Sequence, residues 1–179
     1  MQSEANTNGD LGTEVFGRIA QHWATLTDKI AAIVQTRYSF EEWLNWEALV
    51  AFLNLPDWTV RPRPRYRDKD RVEYGDLLAT NLRAGTSVFI ETKLIHDGTG
   101  EKWYVAMDHD MTKLLRSTPE GMIPLQIVVV ASKAGIEDSA EWQRLLGMRR
   151  SWARATRLST VVRLPPDGQM IVRGWCGRP

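Results

Sequence analysis

Four charged residues, Glu47, Asp76, Glu91 and Lys93, stand where the surrounding pattern calls for apolar side chains. In the run Val88-Phe89-Ile90-Glu91-Thr92-Lys93-Leu94-Ile95, strand alternation sets Glu91 and Lys93 on the face of Phe89 and Ile95. An acid and an amine on an apolar face are costly to bury unless they pair, or unless a cation sits between carboxylates. Alternation over Val72–Leu78 likewise puts Asp76 with Val72, Tyr74 and Leu78. On a helix turning about 100° per residue, Glu47 falls at the centre of an apolar arc of Phe40, Trp43, Val50 and Ala51. Glu41, Glu42 and Asn45 share a different face, and Glu42 has a structural reading as the partner of Ser39 in a capping box. Two carboxylates on neighbouring strands suit Mg²⁺ (or Mn²⁺), which prefers oxygen ligands and keeps several waters. Water bound to such an ion is a usable nucleophile. A nearby lysine can orient that water and offset charge growing on a phosphoryl group. A helix carboxylate can hold a second ion or a metal-bound water. Together these groups suit hydrolysis of a phosphodiester.

The elements that must position them are read from periodicity. Residues 1–12 are polar and read as a disordered start. From Thr13 to about Arg37 the spacing of Val15, Phe16, Ile19, Trp23, Leu26, Ile30, Ile33 and Val34 predicts one long amphipathic helix. A second helix is expected from Phe40 to about Asn54. Trp58 to Tyr66, with Pro62 and Pro64, suits an edge strand or an extended arm. Strands follow at Val72 to Thr80 and Thr86 to Ile95, then a loop at Asp97–Gly100, a helix at Lys102 to Arg116 and a buried strand at Pro124 to Ser132. Ser139 to about Ala155 reads as helix, and Leu158 to Trp175 as a hairpin turning at Pro166-Asp167-Gly168. This order argues a mixed β-sheet flanked by helices, an α/β fold in a single domain over 13–179.

The residues and their order resemble the PD-(D/E)XK nucleases, the restriction-endonuclease-like superfamily. Its signature is a helix Glu, an Asp on one strand and Glu-x-Lys on the next, here Glu47, Asp76 and Glu91-Thr92-Lys93. Its α-β-β-β-α-β core matches the order from Phe40 to Ser132 (core about 39–132), leaving an extra N-terminal helix and a C-terminal hairpin. The resemblance implies that Asp76 and Glu91 bind a divalent metal, Mg²⁺ or Mn²⁺, together with the backbone carbonyl of Thr92. It implies that Lys93 acts on the attacking water and that Glu47 completes the acidic cluster. Gly75 stands where the signature has proline. The implied activity is a metal-dependent endonuclease or exonuclease, working as a homodimer or with a partner subunit. Two other readings compete. Glu91 and Lys93 can form a strand ion pair with Asp76 at a solvent-facing strand end. A nuclease-like fold can also lose cutting and serve as a nucleic-acid-binding or protein-assembly module.

The net charge of +1 conceals two arginine-rich blocks. Arg61, Arg63, Arg65 and Arg67 lie in one, and Arg149 and Arg150 in the other; guanidinium forks match phosphate geometry, so these read as nucleic-acid contacts, DNA ahead of RNA. Ordinary solvated faces are the competing account. Trp58, beside the first block, is the tryptophan read for base stacking, and the others read as core or interface. Asp108-His109-Asp110 does not converge on a helix, although Asp110 lies near the Met107/Met111/Leu114 stripe; a solvated face is the favoured reading. His22 and His96 read as surface or loop residues. The lone Cys176 excludes a disulfide framework, and no Gly-x-Ser-x-Gly or Gly-x-x-x-x-Gly-Lys motif occurs, which argues against a serine hydrolase and an NTPase. With no apolar run long enough to span a bilayer and no secretory leader pattern, a cytoplasmic protein without a membrane partner is expected.

Overall fold

Apolar residues at helical spacing fold the N-terminal third into three helices rather than two. The computed structural model describes residues 4–65, 74–100, 103–131, 139, 140, 142, 143 and 155–177, with side chains in the first helix from Leu11 onward. The first helix, α1 (Glu4–Ala24), starts inside the segment expected to be disordered and stops well before Arg37. It stops because His22 O accepts both the Thr25 amide at 2.9 Å and the Thr25 hydroxyl at 2.7 Å, closing a tight turn. A separate helix, α2 (Thr27–Gln35), follows. The third, α3 (Glu41–Val50), is shorter than the expected Phe40–Asn54, and the Ser39/Glu42 capping box does not form: Phe40 is the N-cap and makes no side-chain cap bond.

The strands are β1 (Trp58–Pro62), β2 (Leu77–Asn81) and β3 (Thr86–Ile95). Helix α4 (Trp103–Ser117) leads to β4 (Ile123–Ala131), then β5 (Thr156–Leu164) and β6 (Gly168–Cys176). They form one six-stranded mixed sheet in the order β1-β2-β3-β4-β6-β5. β1, β2 and β3 are antiparallel neighbours, β3 and β4 are parallel across α4, and β6 runs antiparallel to β4 and β5. All of β4 is buried, as a central strand covered on both faces must be. The strand expected from Val72 begins only at Leu77, and Tyr74 instead forms an isolated bridge with Arg65. The helix expected at Ser139–Ala155, with Arg149 and Arg150, lies largely outside the described residues, as does Arg67.

Helices α1–α3 cover one face of the sheet. There Val15, Ile19, Trp23, Leu44 and Phe52 pack with Leu77, Val88, Ile90, Ile127 and Val129. Helix α4 covers the other face with Met107, Met111 and Leu114 on Phe89, Val128 and Trp175. The first layer lies so close that a Cβ at Gly12 would run into Cys176 Sγ. Trp58 belongs to this core: it is buried, its ring is 5.2 Å from Phe52, and Arg18 lies over it at 5.8 Å. That burial removes it as a base-stacking residue. No described helix is long and apolar enough to cross a membrane.

Candidate functional site

The site grows from a mismatch in strand length. β2 starts at Leu77, opposite Ile90, so β3 runs five residues past it, from Glu91 to Ile95. A buried backbone N–H needs an acceptor, and two carboxylates supply them. Asp76 Oδ2 accepts from Thr92 N at 2.7 Å, and Glu41 Oε2 from Leu94 N at 2.7 Å. Asp76 is held there because its own N–H donates to Ile90 O at 3.2 Å and its carbonyl accepts from Arg63 N at 2.9 Å. Just before it, the Gly75 N–H donates to Pro64 O at 2.9 Å, and a Cβ on Gly75 would enter the Phe89 ring. A proline here could neither make that bond nor fit, which accounts physically for the glycine.

On the face of β3 that meets α4, Glu91 and Lys93 sit together as alternation predicts, and α4 adds Asp110 and Lys113. Lys113 Nζ is 2.9 Å from Glu91 Oε1 and 3.9 Å from Asp110 Oδ1. Lys93 Nζ is 3.5 Å from Asp110 Oδ2 and 3.7 Å from Glu41 Oε1. The simple Glu91–Lys93 pair is therefore replaced by a crossed arrangement in which each takes its partner from another element. Among the described residues, the carboxylates of Glu41, Asp76, Glu91 and Asp110 gather around the ammonium groups of Lys93 and Lys113.

Burial dominates the titration of the acids. Desolvation raises the Asp76 carboxyl above 3.8 despite the Thr92 N–H and the Lys113 charge. Desolvation likewise raises Glu41 above 4.5 against the opposing pull of Leu94 N–H and Lys93. For the lysines burial works the other way but loses. Glu41 and Asp110 hold Lys93 above 10.5, and Glu91, with Asp110, does the same for Lys113. Both lysines are ammonium ions at neutral pH. Behind Glu91, Gln126 of β4 donates from Nε2 to Glu91 O at 3.2 Å, while its buried Oε1 and Thr92 Oγ1 make no hydrogen bond among the described residues.

Glu47 does not join the cluster. It turns to α1 instead, where His22 Nε2 meets Glu47 Oε2 at 2.9 Å. The helix acid at the site is Glu41, one of the face-mates of Asn45 noted above; helical angle alone could not say which face turns toward β3. Lys113 carries no sequence signal beyond its i+3 spacing from Asp110, and Asp110 sits in the cluster rather than on a solvated face. Arg61, Arg63 and Arg65 are exposed, and the Arg63 guanidinium lies 5.4 Å over the Tyr74 ring. A cleft of about 440 Å³ opens beside the cluster, lined by Glu41, Asn45, Trp46, Arg63, Tyr74 and Asp76 among others. His96 is buried in a tight turn, its Nδ1 accepting from Gly98 N at 3.1 Å, and burial pushes the Cys176 thiol up to about 12, so neither offers a nucleophile. Among the described residues no group of three or more acidic, histidine or cysteine side chains is arranged to hold a metal ion. Compared with family models, curated proteins and solved structures, the chain matches none.

Proposed function

We propose that the chain is a divalent-metal-dependent nuclease of the PD-(D/E)XK type, hydrolysing phosphodiester bonds in DNA ahead of RNA. One observation carries the reading: Asp76 is bonded to the backbone of Thr92, at the middle of Glu91-Thr92-Lys93, on the open edge of β3. The order α3-β1-β2-β3-α4-β4, with β3 and β4 parallel, supports a restriction-endonuclease-like core. The donor set fits a hard cation, because its groups are carboxylates joined by a backbone carbonyl, all oxygen donors. Asp76, Glu91 and the Thr92 carbonyl would hold Mg²⁺ or Mn²⁺. That ion would supply a Lewis acid and an acidified water.

The chain's own residues divide the remaining work. Glu41 and Asp110 keep Lys93 protonated, so Lys93 acts as a fixed cation toward charge developing on the phosphoryl group and not as a base. Glu41 takes the helix-acid role that the sequence assigned to Glu47. Arg61, Arg63 and Arg65 supply exposed cations for the phosphate backbone. The reading goes with a cytoplasmic protein that pairs as a homodimer, one site per strand. The Lys113–Glu91 ion pair favours a second reading, a nuclease-like module that binds without cutting, because it occupies a carboxylate the metal would use. Cleavage of circular DNA, linear DNA and RNA under Mg²⁺, Mn²⁺ and EDTA tests both. Wild type and E47Q are expected to cut, while D76N, K93A and E41Q lose about 10²-fold or more. Cutting that survives D76N and K93A would remove the proposed site, and binding without cutting by wild type would favour the module.

A further inference from the structure

We propose that the cleft beside the acidic cluster is a subsite for one unstacked nucleobase, so that single-stranded or frayed nucleic acid is preferred over intact duplex. The inference rests on the nuclease reading for its choice of ligand, but its test does not depend on cutting. The cleft, about 440 Å³, falls in the range of small-ligand sites. Its walls are aromatic: Trp46 of α3 is 54% exposed and Tyr74, ahead of β2, is 45% exposed, and both line it. Large aromatic faces left in water are poised to be covered, and every nucleobase has a π-face to cover them with. Arg63 lies over the Tyr74 ring and brings a cation to the same rim.

Two further observations narrow the ligand. Asn45, also in the lining, has a buried side-chain carbonyl oxygen with no hydrogen-bond partner among the described residues. That oxygen is sealed from the cleft, so the rest of the Asn45 amide is what a base edge would meet there. Glu41 and Asp76 make the near end of the cleft anionic. A phosphate is repelled there unless a divalent cation intervenes, whereas a neutral base is not. The occupant is therefore a neutral, planar group tethered to a phosphate that Arg63 can meet. Bases inside a duplex present no free face, so they must be unstacked first.

Fluorescence anisotropy with a labelled single-stranded DNA 12-mer and a hairpin duplex of matched sequence, in Ca²⁺ and in EDTA, tests this. Single strand is expected to bind about tenfold or more tightly than duplex, since unstacking is avoided. W46A and Y74A should each weaken single-strand binding about 5- to 150-fold. N45A should change the ranking among homopolymers of the four bases. Val50 and Leu53 continue the exposed face of α3 but do not line the cleft, so V50S/L53S should bind as wild type. Equal affinity for duplex and single strand, unchanged binding by folded W46A and Y74A, or no binding by wild type would each overturn the subsite. If W46A binds and cuts like wild type, the subsite falls and the nuclease reading stands. If W46A loses single-strand binding while no protein cuts under any metal, the subsite stands and the nuclease reading falls.

Discussion

Lys113 bonds one oxygen of Glu91 at 2.9 Å, and Glu91 is only 4% exposed. Without that ammonium group the carboxylate is a buried charge facing Asp76 and Asp110. Breaking a buried pair from one side costs about 3 kcal/mol, or about 6–12 °C in a chain of this size. K113M should therefore melt lower than wild type in EDTA. It should recover more than wild type does when Mg²⁺ is titrated, because the ion no longer competes with an ammonium for Glu91. A thermal-shift titration reads both quantities, and an Mg²⁺-induced shift no larger than that of wild type would show that Lys113 and the cation do not share Glu91. Residues of this cluster differ in how far the sequence exposes them. Glu91 and Lys93 are legible because a period of two makes a charge on an apolar face visible; Asp76 is singled out by an alternation from Val72 that the strand, starting only at Leu77, does not have. Glu41 and Lys113 are not legible, since a helical angle ranks faces but does not say which one meets β3.

At the scale of elements, the decisive feature is that β3 continues where β2 has not yet begun. Gly75 sets that offset by letting the chain pass against Phe89, which is buried, while bonding to Pro64 O. G75A should cost about 1–3 kcal/mol of overpacking, lowering Tm by about 2–12 °C. Because the clash is with one ring, F89L should return part of that loss in the double variant. Chemical denaturation of wild type, both single variants and the double variant gives the coupling; strictly additive losses would mean that the Phe89 ring is not what Gly75 avoids. β3, β4, α4 and the β5–β6 hairpin were legible within a few residues because each has an unbroken period bounded by loop residues. The α1–α2 break was not. Val15 through Val34 keep helical spacing across it, and the stop comes from the Thr25 hydroxyl and amide on His22 O, a competition invisible to hydrophobic pattern. The capping box failed for a related reason: the Ser39–Glu42 spacing was right, yet the helix begins at Glu41, after Phe40.

For the whole molecule, a nearly neutral chain gathers Glu41, Asp76, Glu91 and Asp110 with Lys93 and Lys113 in one cluster among the described residues. The folded-state pKa values of Asp76 and Glu41 lie above 3.8 and 4.5, chiefly through desolvation. A carboxyl raised on folding favours the fold while it is protonated, and that contribution disappears as pH rises through the raised value. Lys93 and Lys113 are raised as well, so their contribution is present at neutral pH and is lost only above 10.5. Between those limits the protein carries the cost of its ionised acids, and a divalent cation at 100 times its Kd would offset about 2.7 kcal/mol, or about 5–11 °C. D76N removes one desolvated charge and keeps an oxygen for the Thr92 N–H. It should raise Tm at pH 8 by about 2–4 °C, lose that advantage near pH 4, and abolish the Mg²⁺ shift. Melting curves from pH 4 to 9, with and without Mg²⁺, decide the matter. If D76N melts below wild type at pH 8 and Mg²⁺ shifts neither protein, Asp76 serves the fold as the acceptor that completes β3. If the expected pattern holds, the stability lost at this edge is what keeps a cation-sized concentration of negative charge in place.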